Sequence, residues 1–253
     1  YYLRVCCTVM PALIALDTST NHCSVAFINE SGVRACHRDI PRAHNQHVLQ
    51  MIDEVVGGIS LAELTGIVCG IGPGSFTGLR VAVSVAQGIA WGLDIQVAGL
   101  CSLELQAMTF QETVDQTNCG ILSITDAQIG QVYARLFAHD AEGLRPQAGP
   151  ILCPPDKLQT QVDFREGLSA LEAGGYPIYL TGSGASLIAN EEGGLATMTE
   201  QAKVDVRPSA ETLARHAFVN STLLQWKLPW ELQPHYVQQD IGWKKLGEQG
   251  NGA

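Results

Sequence analysis

Residues 12–20, Ala12-Leu13-Ile14-Ala15-Leu16-Asp17-Thr18-Ser19-Thr20, read as an apolar strand that closes on an aspartate and a run of hydroxyl side chains. Cys23-Ser24-Val25-Ala26-Phe27-Ile28 resumes extended character and Asn29-Glu30-Ser31-Gly32 supplies turn residues, so this stretch predicts strand, polar turn, strand. The same unit returns at Ile121-Leu122-Ser123-Ile124-Thr125-Asp126-Ala127, followed by Gln131-Val132-Tyr133-Ala134-Arg135-Leu136-Phe137, with Asp126 standing where Asp17 stands. A second unit also recurs. Gly66-Ile67-Val68-Cys69-Gly70-Ile71-Gly72-Pro73-Gly74-Ser75 is a buried strand, a glycine loop and a helix start, and Pro177-Ile178-Tyr179-Leu180-Thr181-Gly182-Ser183-Gly184-Ala185-Ser186 echoes it.

The same units in the same order in both halves predict a duplicated α/β chain, two lobes each with a mixed sheet and helices. That is the actin-like (ASKHA, ribonuclease H-like) or sugar-kinase architecture. The expected lobes are 10–106 and 119–246, with a polar linker near Ala107–Cys119. Residues 1–9 precede Met10, are too short for a signal peptide, and are expected to be extraneous; 247–253 are expected to be disordered. The acidic, proline-bearing stretch Ala138–Ala173 is expected to hold loops and one short helix.

Bulk composition narrows the function. The 253 residues carry 15 Lys and Arg against 25 Asp and Glu, a net charge of −10, the wrong sign for a chain that grips nucleic acid alone. No run approaches the ~20 apolar residues of a membrane span. The eight cysteines form no CxxC pair and several sit inside apolar runs, so they read as small buried hydrophobes in a reducing cytoplasm.

Two helices frame the glycine loop. Val48, Leu49, Met51, Ile52, Val55 and Val56 fall at three- and four-residue spacing, predicting a helix over Ala43–Val56 that Gly57-Gly58 stops. Ser75 is a good N-cap for a helix to about Trp91, on which Gly78, Ala82, Ala86 and Ala90 form a ridge of minimal side chains. That helix is apolar nearly all round, so two of its sides need cover. One is its own sheet. The other needs the preceding helix, a partner protein, or both: close packing along the small ridge, with Val48, Leu49, Ile52 and Val56 beside it, is expected to receive a partner, or a second copy in a symmetric homodimer, the alternative being that the two helices simply pack on each other and the sheet. The loop Gly72, Gly74, Ser75 reads either as a tight strand-to-helix turn or as an anion cradle at a helix N-terminus. It lacks the Gly-Lys-Ser/Thr of a Walker A loop.

These stretches closely resemble the TsaB (YeaZ) family of bacterial tRNA threonylcarbamoyladenosine synthesis. The likeness is carried by Ile14–Thr20 with Cys23–Ala26, Pro41-Arg42-Ala43-His44, and Gly72-Pro73-Gly74-Ser75-Phe76-Thr77-Gly78-Leu79-Arg80 with Ala86-Gln87-Gly88. Asp126-Ala127 with Val132-Tyr133, Pro234-His235-Tyr236-Val237 and Trp243-Lys244-Lys245-Leu246 add to it. The resemblance spans roughly Met10 to Leu246, weakest over Ala138–Gln201. It implies a subunit without chemistry of its own, working beside TsaD, a catalytic paralogue, and TsaE, an ATPase. ATP and a metal are then used by those partners, none is bound by this chain alone, and tRNA is met only through the complex. TsaD holds its metal with two histidines four apart in a segment like Gly-Val-x-His-x-Glu-x-His. The matching segment, Gly99-Leu100-Cys101-Ser102-Leu103-Glu104-Leu105-Gln106, has Ser102 and Gln106 in their places.

Other chemistry is poorly supplied. His44 and His47 are the only close histidine pair and have no readable third ligand; Arg42 and His44 suit a partner or an anion at the helix start, or plain solvation. Asp17 sits where actin-like kinases place a magnesium-side aspartate, but Thr18-Ser19-Thr20 lacks their glycine, and capping its own turn explains it. Ser19, Ser75 and His44 give no ordered triad, and a metallopeptidase reading fails on the missing ligands. The alternative from another class is a small-molecule kinase or ATPase of the same fold.

Overall fold

The computed structural model describes residues 11–41, 43–114, 117–128, 130–189 and 205–237. Strand β1 (Leu13–Asp17) is buried at every position, because both faces of its sheet are covered. Such a strand reads as an unbroken apolar run rather than an alternation. It pairs antiparallel with β2 (His22–Asn29) and parallel with β4 (Gly66–Gly72). With β3 (Gly32–Asp39) and β5 (Gln96–Cys101) at the edges, the sheet order is β3-β2-β1-β4-β5. The second sheet repeats the plan as β8-β7-β6-β9, from β6 (Cys119–Asp126), β7 (Val132–Asp140), β8 (Gly143–Cys153) and β9 (Ile178–Thr181). Here β6 pairs antiparallel with β7 and parallel with β9, as β1 does with β2 and β4. The fold is actin-like.

Helices α1 (His44–Val56) and α2 (Phe76–Leu93) cover one face of the first sheet. Val48, Met51 and Val55 of α1 and Ala82, Ala86 and Ala90 of α2 share a core with Ile14, Leu16 and Val25. The residues of β1 that point the other way, Leu13 and Ala15, meet α6 (Ala210–Val219) through Ala210, Leu213, Ala214 and Ala217. Gly57 ends α1 in the left-handed region at φ 57°, as a C-terminal glycine does.

Three expectations about organisation need correction. The stretch 119–246 does not pack as one lobe: α6 and the strap 226–237 return to the first sheet, where Lys227 exchanges backbone hydrogen bonds with Val97 of β5. The expected linker is half helix, because α3 (Ser102–Thr113) runs through it. Leu105 of α3 joins the core of the first sheet, while Ala107 and Phe110 join Cys119, Ile121 and Tyr179 of the second. Residues 138–173 hold the end of β7, the whole of β8, and α4 (Val162–Ala173), which buries Phe164, Leu168 and Leu171; a short α5 (Ala185–Ala189) follows β9. Residues 1–9, 247–253 and Trp243–Leu246 lie outside the described residues.

Candidate functional site

The turns after β1 and β6 and the loops after β4 and β9 open onto one cleft of about 880 Å³. The C-terminal ends of parallel strands are where α/β sheets place their ligands. What the residues there do decides how the cleft can be used.

Asp17 is wholly buried. Its Oδ1 accepts from the Ser19 amide at 3.0 Å and the Ser19 hydroxyl at 2.7 Å, and its Oδ2 accepts from Ser102 Oγ at 3.3 Å. A Cβ on Gly70 would stand 1.8 Å from Oδ2, so the strand lies against the carboxylate. Burial pushes the Asp17 carboxyl up to about 6, against the pull of the Ser19 and Ser102 hydrogen bonds. Asp126 does the same local job in the second hairpin, accepting from the Gln128 amide at 2.7 Å. Both aspartates cap their own turns.

The glycine loop spends its donors internally. The Gly72 amide donates to Ser102 Oγ at 3.0 Å, the Ser75 amide to the Ser19 carbonyl at 2.6 Å, and the Gly78 amide to Ser75 Oγ at 3.3 Å. A Cβ on Gly78 would sit 1.9 Å from the Thr18 carbonyl oxygen, and the Thr18 hydroxyl donates to the Gly78 carbonyl at 2.6 Å. The loop therefore serves close docking of α2 on the β1–β2 turn. That favours the tight turn over the anion cradle for Gly72, Gly74 and Ser75, since two of the three amides are already taken.

Charge in the cleft points the same way. Arg207 is the only lysine or arginine among the described lining residues, and it is ion-paired to Asp39, with Asp205 at 3.8 Å. A polyphosphate wants several unshared cations or donors. His44 lines the cleft but is 5% exposed, and its Nε2 has no hydrogen-bond partner among the described residues. Burial holds the imidazole below its ordinary value, opposed by the nearby carbonyls of Asn21 and Thr20. No group of three or more histidine, cysteine or carboxylate side chains suited to a metal comes together among the described residues.

Ser102 and Gln106, one turn apart on α3, are both buried and tied. Ser102 joins Asp17 and Gly72 of the first sheet. Gln106 Nε2 donates to Ser123 Oγ at 2.7 Å and to the Thr181 carbonyl at 3.0 Å, and its Oε1 accepts from Thr125 at 3.3 Å. Together the two side chains pin α3 to both sheets. Gln106→Leu removes all three of these hydrogen bonds, and unfolding in urea is expected to show a loss of about 2 kcal/mol. A loss under about 0.5 kcal/mol would mean that the network carries no weight.

The expected partner residues fall differently. Val48, Ile52, Val56, Ala82 and Ala86 are at most 6% exposed, Gly78 and His44 are buried too, and Leu49 alone among the described ones is exposed, at 59%. Arg42 lies outside the described residues. The reason is geometric: a helix with two apolar sides gives its flattest side to the closest neighbour, here the sheet and the Thr18 backbone. What α2 leaves outward, besides Phe76 and Trp91, is Thr77, Arg80, Ser84, Gly88 and Gly92, and at Gly88 an added Cβ would meet nothing within 4 Å.

Beside that outward strip lies a feature the sequence does not announce. The strap is fixed by the side-chain amide of Gln87 on α2 donating to the Leu232 carbonyl at 2.9 Å and by the His235 backbone N–H donating to the Ile71 carbonyl of β4 at 2.7 Å. It sets Tyr236 5.4 Å from Phe76, and Trp230 5.1 Å from Trp91, ring centre to ring centre. The Arg80 guanidinium lies 3.5 Å over Phe76. Phe76, Trp91, Leu228, Trp230 and Tyr236 are five of the ten large hydrophobic side chains left exposed among the described residues, so the exposure is concentrated here. Only pairs of aromatics at helix and tail positions could have hinted at it.

Comparisons with known proteins agree with this architecture. The family model described as TsaD, tRNA N6-adenosine threonylcarbamoyltransferase, matches residues 38–210. The chain is 30% identical over 257 residues to the tRNA threonylcarbamoyladenosine biosynthesis protein TsaB of Haemophilus influenzae, covering 92% of this chain and 96% of that one. It is 34% identical to the Escherichia coli TsaB over 134 residues, covering 52% of this chain and 57% of that protein. A solved structure from Pseudomonas aeruginosa, described as similar to peptidase YeaZ, is 25% identical with a TM-score of 0.74, covering 90% of this chain and all of that one.

Proposed function

The chain belongs to the TsaB family of tRNA threonylcarbamoyladenosine biosynthesis proteins, and from that membership we propose that it is a non-catalytic subunit docking onto a TsaD-like catalytic paralogue, alongside a TsaE-like ATPase. The observation that carries this reading is the pair Ser102 and Gln106. They stand where the resemblance puts the paralogue's two metal-binding histidines, and both are consumed in holding α3 to the two sheets. Neither a serine hydroxyl nor a carboxamide is a good transition-metal ligand. The paired Arg207 and the internally bonded glycine loop argue equally against a kinase of the same fold.

The docking face in this reading combines the outward side of α2, the exposed Leu49 of α1 and the aromatic strip. ATP and metal belong to the partners, and tRNA is met through the assembly, consistent with the net charge of −10. No helix among the described residues is long and apolar enough to cross a membrane. The cytoplasm, where tRNA is modified, is the compartment this role requires.

Reconstitution tests the reading. The purified chain alone is expected neither to modify tRNA nor to turn over ATP, and the TsaD-like and TsaE-like proteins are expected to need it for modification. Full modification without this chain would remove the assembly role, and ATP turnover by the lone chain would favour the kinase.

A further inference from the structure

Arg80 stands on an aromatic ring with no acid beside it. Arg38, Arg135, Arg145, Arg207 and Arg215 each pair with a carboxylate and Arg34 donates to the Val56 carbonyl, while among the described residues Arg80, like Arg165, pairs with no carboxylate. In a chain with 25 acidic and 15 basic residues, a cation left without an acid is set apart from the prevailing charge. It is also held in place. Phe76 lies 3.5 Å from the guanidinium carbon and Tyr236 5.8 Å from it, so one face of the plane is stacked. Stacking leaves the N–H groups in the plane of the guanidinium free to fork onto two oxygens, the geometry that suits a carboxylate.

We propose that Arg80, seated on Phe76 beside Tyr236, takes a carboxylate of the docking protein, with the Trp91–Trp230 pair as the apolar contact on the same edge of α2. This deepens the assembly reading and rests on it, because the edge is continuous with the outward side of α2. Tryptophan, tyrosine and arginine are the residues in which binding energy concentrates at protein interfaces. RNA is the less suitable occupant. Phosphate recognition works by neutralising several charges at once, and this strip offers one arginine on a chain of net −10.

The test uses the full chain and the purified TsaD-like protein, with affinity from calorimetry at low and high salt and stability from thermal unfolding. Arg80→Gln is expected to raise Kd about thirty-fold, to flatten the salt dependence, and to leave Tm unchanged. Arg80→Lys is expected to recover part of the loss, since an ammonium keeps the charge without the fork. Trp230→Ala is expected to weaken binding without touching the salt dependence. An unchanged Kd in Arg80→Gln overturns this inference and leaves the assembly reading standing. A wild-type chain that does not bind the TsaD-like protein removes both. Equal losses in Arg80→Gln and Arg80→Lys, accompanied by a fallen Tm, mark a packing role and overturn it. So does tRNA binding by the isolated chain that Arg80→Gln abolishes.

Discussion

Ala86→Trp is expected to leave no folded protein at 25 °C, with the far-UV signal of a collapsed chain and no cooperative transition in urea. Ala86 is fully buried in the core that α2 shares with β1 and β4, on the ridge that faces the sheet. An indole there displaces helix from sheet along several turns. The strain is of the order of the whole stability of a domain, about 5–15 kcal/mol. Ile52→Asp belongs with it, since Ile52 is 6% exposed and a lone carboxylate has no partner in that core. Leu49→Asp, at 59% exposure, is expected to fold with wild-type stability while weakening attachment to the paralogue. A cooperative, near-native melt of Ala86→Trp would place the ridge on the outside after all.

Asp17→Asn is expected to make the protein more stable at pH 7.5 by about 2–3 kcal/mol. The folded carboxyl titrates at about 6 and the ordinary value is 3.8, so the folded state holds a proton that the unfolded state gives up between them. A raised carboxyl contributes its stability fully below about pH 4 and loses it as pH rises through about 6. Above that, a buried charge is maintained at a cost of about 3 kcal/mol, two pKa units. Asparagine keeps the oxygen that Ser19 donates to and removes the charge. Urea unfolding of both proteins at pH 4 and pH 7.5 should show near-equal stability at the first and an advantage for the variant at the second. A variant less stable at pH 7.5 would mean that the carboxylate is better solvated than the Gly70 and Ser102 packing allows.

The repeated hairpins and glycine loops were legible because buried central strands are apolar runs bounded by turn residues. Two of the edge strands, β3 and β8, were not. β3 carries Arg34, Arg38 and Asp39 with mostly exposed side chains, and β8 contains Pro146 and Pro150, residues that ordinarily argue against a strand. α3 half reads as a polar linker because Thr109, Gln111, Glu112 and Thr113 are polar, with Thr109 and Glu112 turned to Ser209 and Thr212 at the start of α6, while Ala107 and Phe110 face the second sheet. For the site, the substitutions at Ser102 and Gln106 were visible in one segment, but not that they tie the two sheets together. The small ridge reads as a close-packing surface, but periodicity gives a helix its sides without saying which meets the sheet and which a partner. The Arg80 setting joins side chains some 150 positions apart in the chain, a separation that no local pattern bridges.

The return of α6 and the strap to the first sheet has a consequence for synthesis. Leu13, Ala15 and Ala26 stay uncovered on one face until Leu213 and Ala217 arrive, some 200 residues later. The first half of the chain therefore cannot finish its core on the ribosome and wait for the second. Loop-closure entropy on that scale slows the final docking step and exposes apolar sheet in the interval. Nascent chains stalled before residue 210 should be bound by chaperones and cut readily by protease, and resistance should appear abruptly once the strap has emerged.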